Sequence, residues 1–252
     1  MPKPSARDED ALTSNGAHTV VFVGDSITAG EVSSDWVSLV GESLPGWRCV
    51  NAGVNGDLAW NASQRLSTVI AERPDVVVLL VGTNDVAAAS SPPLLRRLRA
   101  MHKLPLSFTP SLSSYVASVE MIVQGICALS SAQVILVEIP PLGEDAESVI
   151  NRRVSEYNGE LHQIAKREGI PCLSLFTELV QELPSNHRPR AYKYRSAPMA
   201  LARFQRAVLG RSWDEISRRN RLIVLTDWVH LNDRGAAILA TLVSGELKRI
   251  LP

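Results

Sequence analysis

The stretch TVVFVGDSIT, residues 19–28, joins a compact apolar run to a polar turn. Thr19 to Val23 is β-branched or aromatic throughout and stops at Gly24, which suits a strand buried on both faces. Downstream, Trp36, Val37, Leu39, Val40 and Leu44 recur at helical spacing, and Pro45-Gly46 closes the run. The same alternation repeats outward from this pair. Residues 48–51 read as a short strand and 58–70 as a helix ended before Pro74. Residues 76–81 are apolar without a break and make the strongest strand. Ser111 opens a long helix striped by Tyr115, Val116, Val119, Ile122, Val123 and Ile126. Residues 134–139 form a strand stopped by Pro140-Pro141. Ile150, Val154, Tyr157, Leu161 and Ile164 mark a helix that Gly169 ends. Residues 172–175 read as a short strand, 222–225 as a strand or an apolar entry into a loop, and 234–251 as a closing helix. Strand–helix alternation implies a parallel sheet covered by helices on both faces. Right-handed crossovers make that a doubly wound, three-layer α/β/α sandwich. Ligands in such sheets sit beyond the carboxyl ends of the strands, so chemistry is sought there.

Composition narrows the function classes. A chain of 252 residues that is 45% apolar can bury a core that needs no disulfide or metal staple. Its 26 basic and 26 acidic residues exclude a disordered polyelectrolyte and argue against a nucleic-acid binder. Cys49, Cys127 and Cys172 form no CxxC pair and no zinc pattern, and read as small buried hydrophobes. No apolar run reaches the roughly 18 residues of a membrane span. Residues 1–17 are polar, without the apolar core of a secretory signal. They read as a loose arm before a single domain over 18–252, and the expected location is cytoplasmic.

Two segments, 87–108 and 182–221, break the rhythm and read as insertions. Residues 92–103 hold four basic residues and no acid, and residues 182–221 hold ten basic and three acidic. Together they carry +11, which leaves −11 for the rest of a neutral chain. That split reads either as a solvated, salt-bridged surface or as a basic cap toward anionic substrates or an anionic membrane face. Leu94, Leu95, Leu98, Met101 and Leu104 would give the first segment an apolar underside.

The strand ends carry Gly24-Asp25-Ser26-Ile27-Thr28, Asn51-Ala52-Gly53-Val54-Asn55-Gly56-Asp57, Gly82-Thr83-Asn84-Asp85 and, late in the chain, Asp227-Trp228-Val229-His230. Acyl transfer needs a nucleophile, a base, a group that orients the base, and donors for the developing oxyanion. Ser26 sits between a strand and a helix, where a hydroxyl can project. His230 titrates in the range a base requires. Asp227, three residues earlier, can hold one imidazole nitrogen while the other faces Ser26. The Ser26 N–H, the unobstructed Gly53 N–H and the Asn84 amide are three candidate donors. Each piece alone has a plain reading as a turn or a cap; their order across successive strand ends carries the weight.

This combination resembles the SGNH hydrolases, also called the GDSL lipase and esterase family. GDSIT brings Ser26, NAGVNG brings Gly53, GTND brings Asn84, and DWVHLN brings Asp227 and His230. The resemblance implies a flavodoxin-like fold and a catalytic triad of Ser26, Asp227 and His230. It also implies an oxyanion hole from Ser26, Gly53 and Asn84. No GxSxG elbow surrounds Ser26, which argues against an α/β-hydrolase. Asp25, Asn55 and Trp228 are candidate substrate contacts. Loop ordering by Asp25, Asn-Gly turn chemistry at Asn55 and packing by Trp228 are the plain alternatives. Asp85 likewise follows a strand beside the site. His18, His102, His162 and His187 lack partner spacing; His102 and His187 are expected in solvent and His162 on a helix face. No metal or cofactor is expected.

The reading is a serine esterase or acylhydrolase that cleaves a lipid, short-chain or acetyl-sugar ester through an acyl-enzyme on Ser26. The alternatives are an acyltransferase with the same intermediate and a non-catalytic binder on the same fold. The expected partner is a small-molecule ester, with an anionic or lipid one among the options, peripheral membrane contact allowed and oligomeric state open.

Overall fold

The computed structural model describes residues 18–187, 192 and 196–251. The expected arm over 1–17 lies outside the described residues. In chain order the elements are β1 (Thr19–Gly24), α1 (Ser26–Ala29), α2 (Trp36–Ser43), β2 (Arg48–Gly53), α3 (Ala59–Gln64) and α4 (Leu66–Ala71). Then come β3 (Val76–Leu80), α5 (Thr83–Ser90), α6 (Pro92–Ala100), α7 (Leu112–Leu129), β4 (Gln133–Val137) and α8 (Val149–Glu168). The chain ends with β5 (Cys172–Leu173), α9 (Leu175–Gln181), α10 (Ser196–Leu209), α11 (Trp213–Asn220) and α12 (Asp233–Ile250).

The strands form one parallel sheet in the order β2-β1-β3-β4-β5. This is the flavodoxin-like order, and its reversal of direction falls between β1 and β3, the switch point where such sheets bind ligands. Residues along each strand alternate between two cores. Val21, Val23, Val77 and Leu79 face α3, α7 and α8, where Tyr115, Ile122 and Leu161 are buried. Val20, Phe22, Val76, Val78 and Leu80 face α2, α9 and α12, where Trp36, Leu175 and Leu239 are buried. A strand covered on both sides needs apolar residues at every position, which is why β1 and β3 show no period of two in the sequence. Each such side chain contributes about 1.5–3 kcal/mol by leaving water.

Several expected elements change shape. The helix over 58–70 is two helices, α3 and α4, broken at Arg65, whose φ of −112° and ψ of 21° leave helical geometry. Its guanidinium reaches back to Asp57 Oδ2 at 3.0 Å and to the Gly24 carbonyl at 3.1 Å. The strand over 172–175 covers only Cys172–Leu173, because Leu175 already starts α9. Residues 222–225 are no strand. A single antiparallel bridge joins Leu225 to Leu231, and the N–H groups of Ile223, Val224 and Leu225 all donate to the Glu144 carboxylate. The cysteines are less buried than expected. Cys127 is exposed, being off the core stripe of α7, and Cys49 and Cys172 are half-buried.

Both irregular segments contain helices among their described residues. The first begins inside α5, where Ala87 and Ala88 are buried, and continues into α6, whose Leu94 and Leu98 are buried. Leu104 is buried as well, but Met101 stays half exposed. The second holds α10 and α11; Trp213 and Ile216 of α11 pack with Ala202 of α10 in a small third core. By length and composition α7 could cross a membrane, against the expectation that no segment does. Its buried face is the cover of the sheet, which accounts for the apolar content.

Candidate active site

Ser26 leaves the end of β1 and is the first residue of α1. Asp25 caps that helix by accepting the Ile27 N–H at 2.9 Å. Ser26 Oγ lies 2.9 Å from His230 Nε2 across 204 residues of chain. On the far side of the ring, His230 Nδ1 lies 2.9 Å from both oxygens of Asp227. Asp227 also accepts the backbone N–H groups of Val229 at 3.2 Å and His230 at 2.9 Å. With the carboxylate on Nδ1, the tautomer that leaves Nε2 free to take a proton from the serine is favoured. Burial pushes the Asp227 carboxyl up, but the His230 charge and these bonds hold it below its ordinary value. Burial pulls the His230 imidazole down; the Asp227 charge and bond, with the Asp25 charge, outweigh that and leave it above its ordinary value.

The loop that carries Asp227 and His230 has no strand beneath it and is held by a few backbone bonds and several side chains instead. Trp228 takes a left-handed φ of 70°, and its carbonyl accepts the Gly143 N–H at 2.8 Å. Ser217 Oγ donates to the Leu225 carbonyl and Asn220 to the Thr226 carbonyl, both at 2.7 Å. Asn232 donates to the Ile223 carbonyl and accepts the Gly235 N–H, so one amide ties the loop to α12. The Glu144 side chain is fully buried, and His187 Nε2 lies 2.8 Å from its second oxygen. Sequence reasoning passed over Glu144. The available signal was its position just after β4, on the same sheet edge as the site.

Glu144→Ala would leave three N–H groups without their acceptor, each at about 1–3 kcal/mol. The expected loss is about 3 kcal/mol or more, on the order of 6–12 °C in Tm for a chain this size. Glu144→Gln, which keeps one acceptor oxygen, should lose less. Thermal unfolding followed by circular dichroism checks this; an unchanged Tm in the alanine variant would mean the loop holds itself.

The candidate donors separate. Asn84, at the start of α5, lines the cavity above Ser26. Its Nδ2 donates to the Asp57 carbonyl at 3.0 Å and reaches Asp25 Oδ2 only at 3.4 Å, so one of its two N–H bonds is weakly held. Asp57 is itself fixed by Arg65 at 3.0 Å and Lys103 at 2.8 Å. Gly53 does not reach the cavity. It is the last residue of β2, paired with Gly24, and its N–H donates to Asn51 Oδ1 at 3.0 Å. A Cβ there would stand 2.3 Å from the Ala29 nitrogen, so the glycine lets α1 pack on β2. Gly56, three residues on with a φ of 77°, lines the cavity instead.

The cavity holds about 330 Å³. Both irregular segments line it: Leu94, Arg97, Leu98 and Met101 from the first, Tyr192, Met199 and Arg203 from the second. The two segments therefore meet over Ser26 and His230. Asn55 lines the cavity while its Nδ2 donates to Glu31 Oε2 at 2.7 Å. Trp228 both lines the cavity and packs on the core beneath, and its Nε1 has no acceptor among the described residues. Asp25 is buried away from the cavity, which sets aside substrate contact in favour of loop ordering. Burial raises its carboxyl to about 6, and that of Asp85, which accepts the Ala59 N–H, to about 7.

Three histidines expected to lack partner spacing have partners: His187 meets Glu144 and is largely buried, His162 lies 2.7 Å from Glu138, and His18 lies 4.0 Å from Asp75 and edge-on to Trp47. All three acids are distant in sequence, so spacing gave no hint. No His, Cys, Asp or Glu cluster among the described residues could hold a metal ion.

The sequence pattern of the GDSL-like Lipase/Acylhydrolase family matches residues 22–238. No curated protein matches the chain. Among solved structures, an acetyl xylan esterase is similar at a TM-score of 0.63 and 19% identity, over 91% of this chain and 99% of that one. A GDSL-like lipase from Bacteroides thetaiotaomicron is similar at 0.61 and 18%, over 97% and 96%. The acetylxylan esterase from Geobacillus stearothermophilus is similar at 0.61 and 20%, over 91% and 94%. At these identities the likeness concerns the fold.

Proposed function

Because the chain belongs to the GDSL-like Lipase/Acylhydrolase family and is thereby an ester-hydrolysing enzyme, we propose that it works through an acyl-enzyme on Ser26 and takes acyl groups well beyond acetyl. The observation that carries the mechanism is the 2.9 Å contact between Ser26 Oγ and His230 Nε2. Ser26 attacks the ester carbonyl while His230 takes its proton, and Asp227 stabilises the imidazolium that forms. The carbonyl oxygen becomes an oxyanion held by the Ser26 N–H, the Asn84 amide and, in place of Gly53, the Gly56 N–H. His230 returns the proton to the leaving alcohol. Water then repeats the sequence on the acyl-enzyme, releasing the acid and restoring Ser26.

The acyl preference comes from the cavity. A cavity of about 150 Å³ holds a benzene ring, so the 330 Å³ here accommodates on the order of a dozen carbon-sized atoms. Leu94, Leu98, Met101 and Met199 supply apolar walls. Acetyl, the group named for the similar xylan esterases, would leave most of that space unused.

A series of p-nitrophenyl esters tests the reading. Each methylene that enters the cavity contributes about 0.8 kcal/mol, or roughly fourfold in kcat/KM. The rate is expected to climb from the acetate to about the octanoate; a maximum at acetate would overturn the acyl preference. The same assay reads the base. His230 must be neutral to accept the serine proton, and its pKa is raised above 6.5. Below that pKa the imidazole is protonated and inactive, so kcat/KM should rise with pH through it and then level. A rate flat down to about pH 5 would assign another base.

A further inference from the structure

The outer face of α10 is at odds with its setting. Leu201, Phe204 and Val208 are 56%, 54% and 63% exposed. At about 100° per residue they fall within roughly 60° of one another on the helix. Met199 and Arg203, which line the cavity, fall on the opposite side. Ala202 and Gln205 are buried, and Ala202 packs with Trp213 and Ile216 of α11. The helix is thus cavity wall on one side, anchored on α11 on the next, and an apolar stripe open to solvent on the third. Scattered exposed hydrophobics need no cause, but a stripe on one helix face marks a contact surface.

Charge identifies what it contacts. Residues 196–211 carry Arg203, Arg206 and Arg211 and no acidic residue, and residues 92–103, across the cavity from α10, add Arg96, Arg97 and Arg99, while Lys103 is paired with Asp57. Arg97 and Arg203 stand at the cavity itself, with half-exposed Met101 beside them. A second copy docked through this face by a two-fold axis would bring two basic surfaces together. An anionic lipid surface meets both features at once: aliphatic and aromatic side chains enter the acyl boundary and arginines pair with headgroups.

We propose that α10 is an interfacial anchor that seats the cavity on an anionic lipid–water interface. Ester lipids would then reach Ser26 by moving from that interface past Met101, with α10 lying between bilayer and cavity. The inference goes beyond ester hydrolysis, since the anchoring is read by binding alone.

Co-sedimentation with two vesicle types tests it, one of phosphatidylcholine with about 30% phosphatidylglycerol and one of phosphatidylcholine alone. The wild type is expected to bind the anionic vesicles at least about tenfold more tightly, and to release as salt rises to about 0.5 M and the Debye length falls to about 4 Å. A variant carrying Leu201→Ser, Phe204→Ser and Val208→Ser should lose about tenfold or more in binding. It should hydrolyse p-nitrophenyl acetate in solution as the wild type does. If the triple variant fails to fold, Phe204→Ser alone is read in the same way. No binding of wild type to anionic vesicles overturns the proposal, as does undiminished binding of the folded variant. A concentration-dependent dimer that the variant dissolves, without vesicle binding, would assign the face to a second copy instead.

Discussion

Ser26→Ala is expected to lower kcat by at least about 10³-fold with KM little changed. That is about 4 kcal/mol or more of transition-state stabilisation from one oxygen. The size follows from what the proposed mechanism asks of the hydroxyl: it forms the covalent bond, and without it His230 has no serine proton to take and no acyl-enzyme to hydrolyse. Residual turnover would come from the oxyanion donors and from binding alone. The fold should be indifferent. Ser26 is half-buried, and the bond lost to His230 contributes only about 0.5–1.5 kcal/mol. Turnover of the best p-nitrophenyl ester and a melting curve on the same sample separate the two effects. A fluorophosphonate should label the wild type at Ser26 and leave the variant unlabelled. An adduct mapped to another serine, or a variant with a tenth of the activity, would remove Ser26 as nucleophile.

Asn84→Ala comes next, at about 10²–10³ in kcat, or roughly 2.7–4 kcal/mol. The amide is fixed by the Asp57 carbonyl, which is held in turn by the Arg65 and Lys103 contacts to the Asp57 side chain. A donor so anchored does not reorganise when the carbonyl oxygen gains charge, so it acts in the transition state more than in the ground state. KM should therefore stay nearly constant while kcat falls. Loss of the Asp57 bond costs about 1 kcal/mol of stability, which a Tm measurement reports independently. A change confined to KM would reassign Asn84 to ground-state binding.

The candidate site was unevenly legible in the sequence. Ser26, Asn84, Asp227 and His230 could be named because each follows an apolar run or sits in a short polar loop, and a parallel sheet brings successive strand ends to one edge. The choice between Gly53 and Gly56 could not be made that way. It depends on where β2 stops, and β2 continues through Gly53 because Gly24 pairs with it there. Only past that pair does the backbone turn toward the cavity, with the left-handed φ at Gly56. Glu144 was illegible for a related reason. An acid in a loop has no period, and its partners, the N–H groups of Ile223 to Leu225, are 79 to 81 residues away.

By itself the sequence determined the layered α/β architecture, the doubly buried strands β1 and β3, the amphipathic helices α2, α7, α8 and α12, and the candidate set Ser26, Asp227 and His230 that the fold brings together. These follow from local periodicity and from the rule that parallel strands deliver their ends to one side. Tertiary structure alone decided the strand order with its switch point between Ser26 and Asn84, and the break at Arg65. It also decided the carboxylate that replaces a strand under the loop carrying Asp227 and His230, and the meeting of the two basic segments over the cavity. Those features depend on which distant groups satisfy one another once water is excluded. A buried N–H must find an acceptor wherever packing places one, and no local pattern records where that will be.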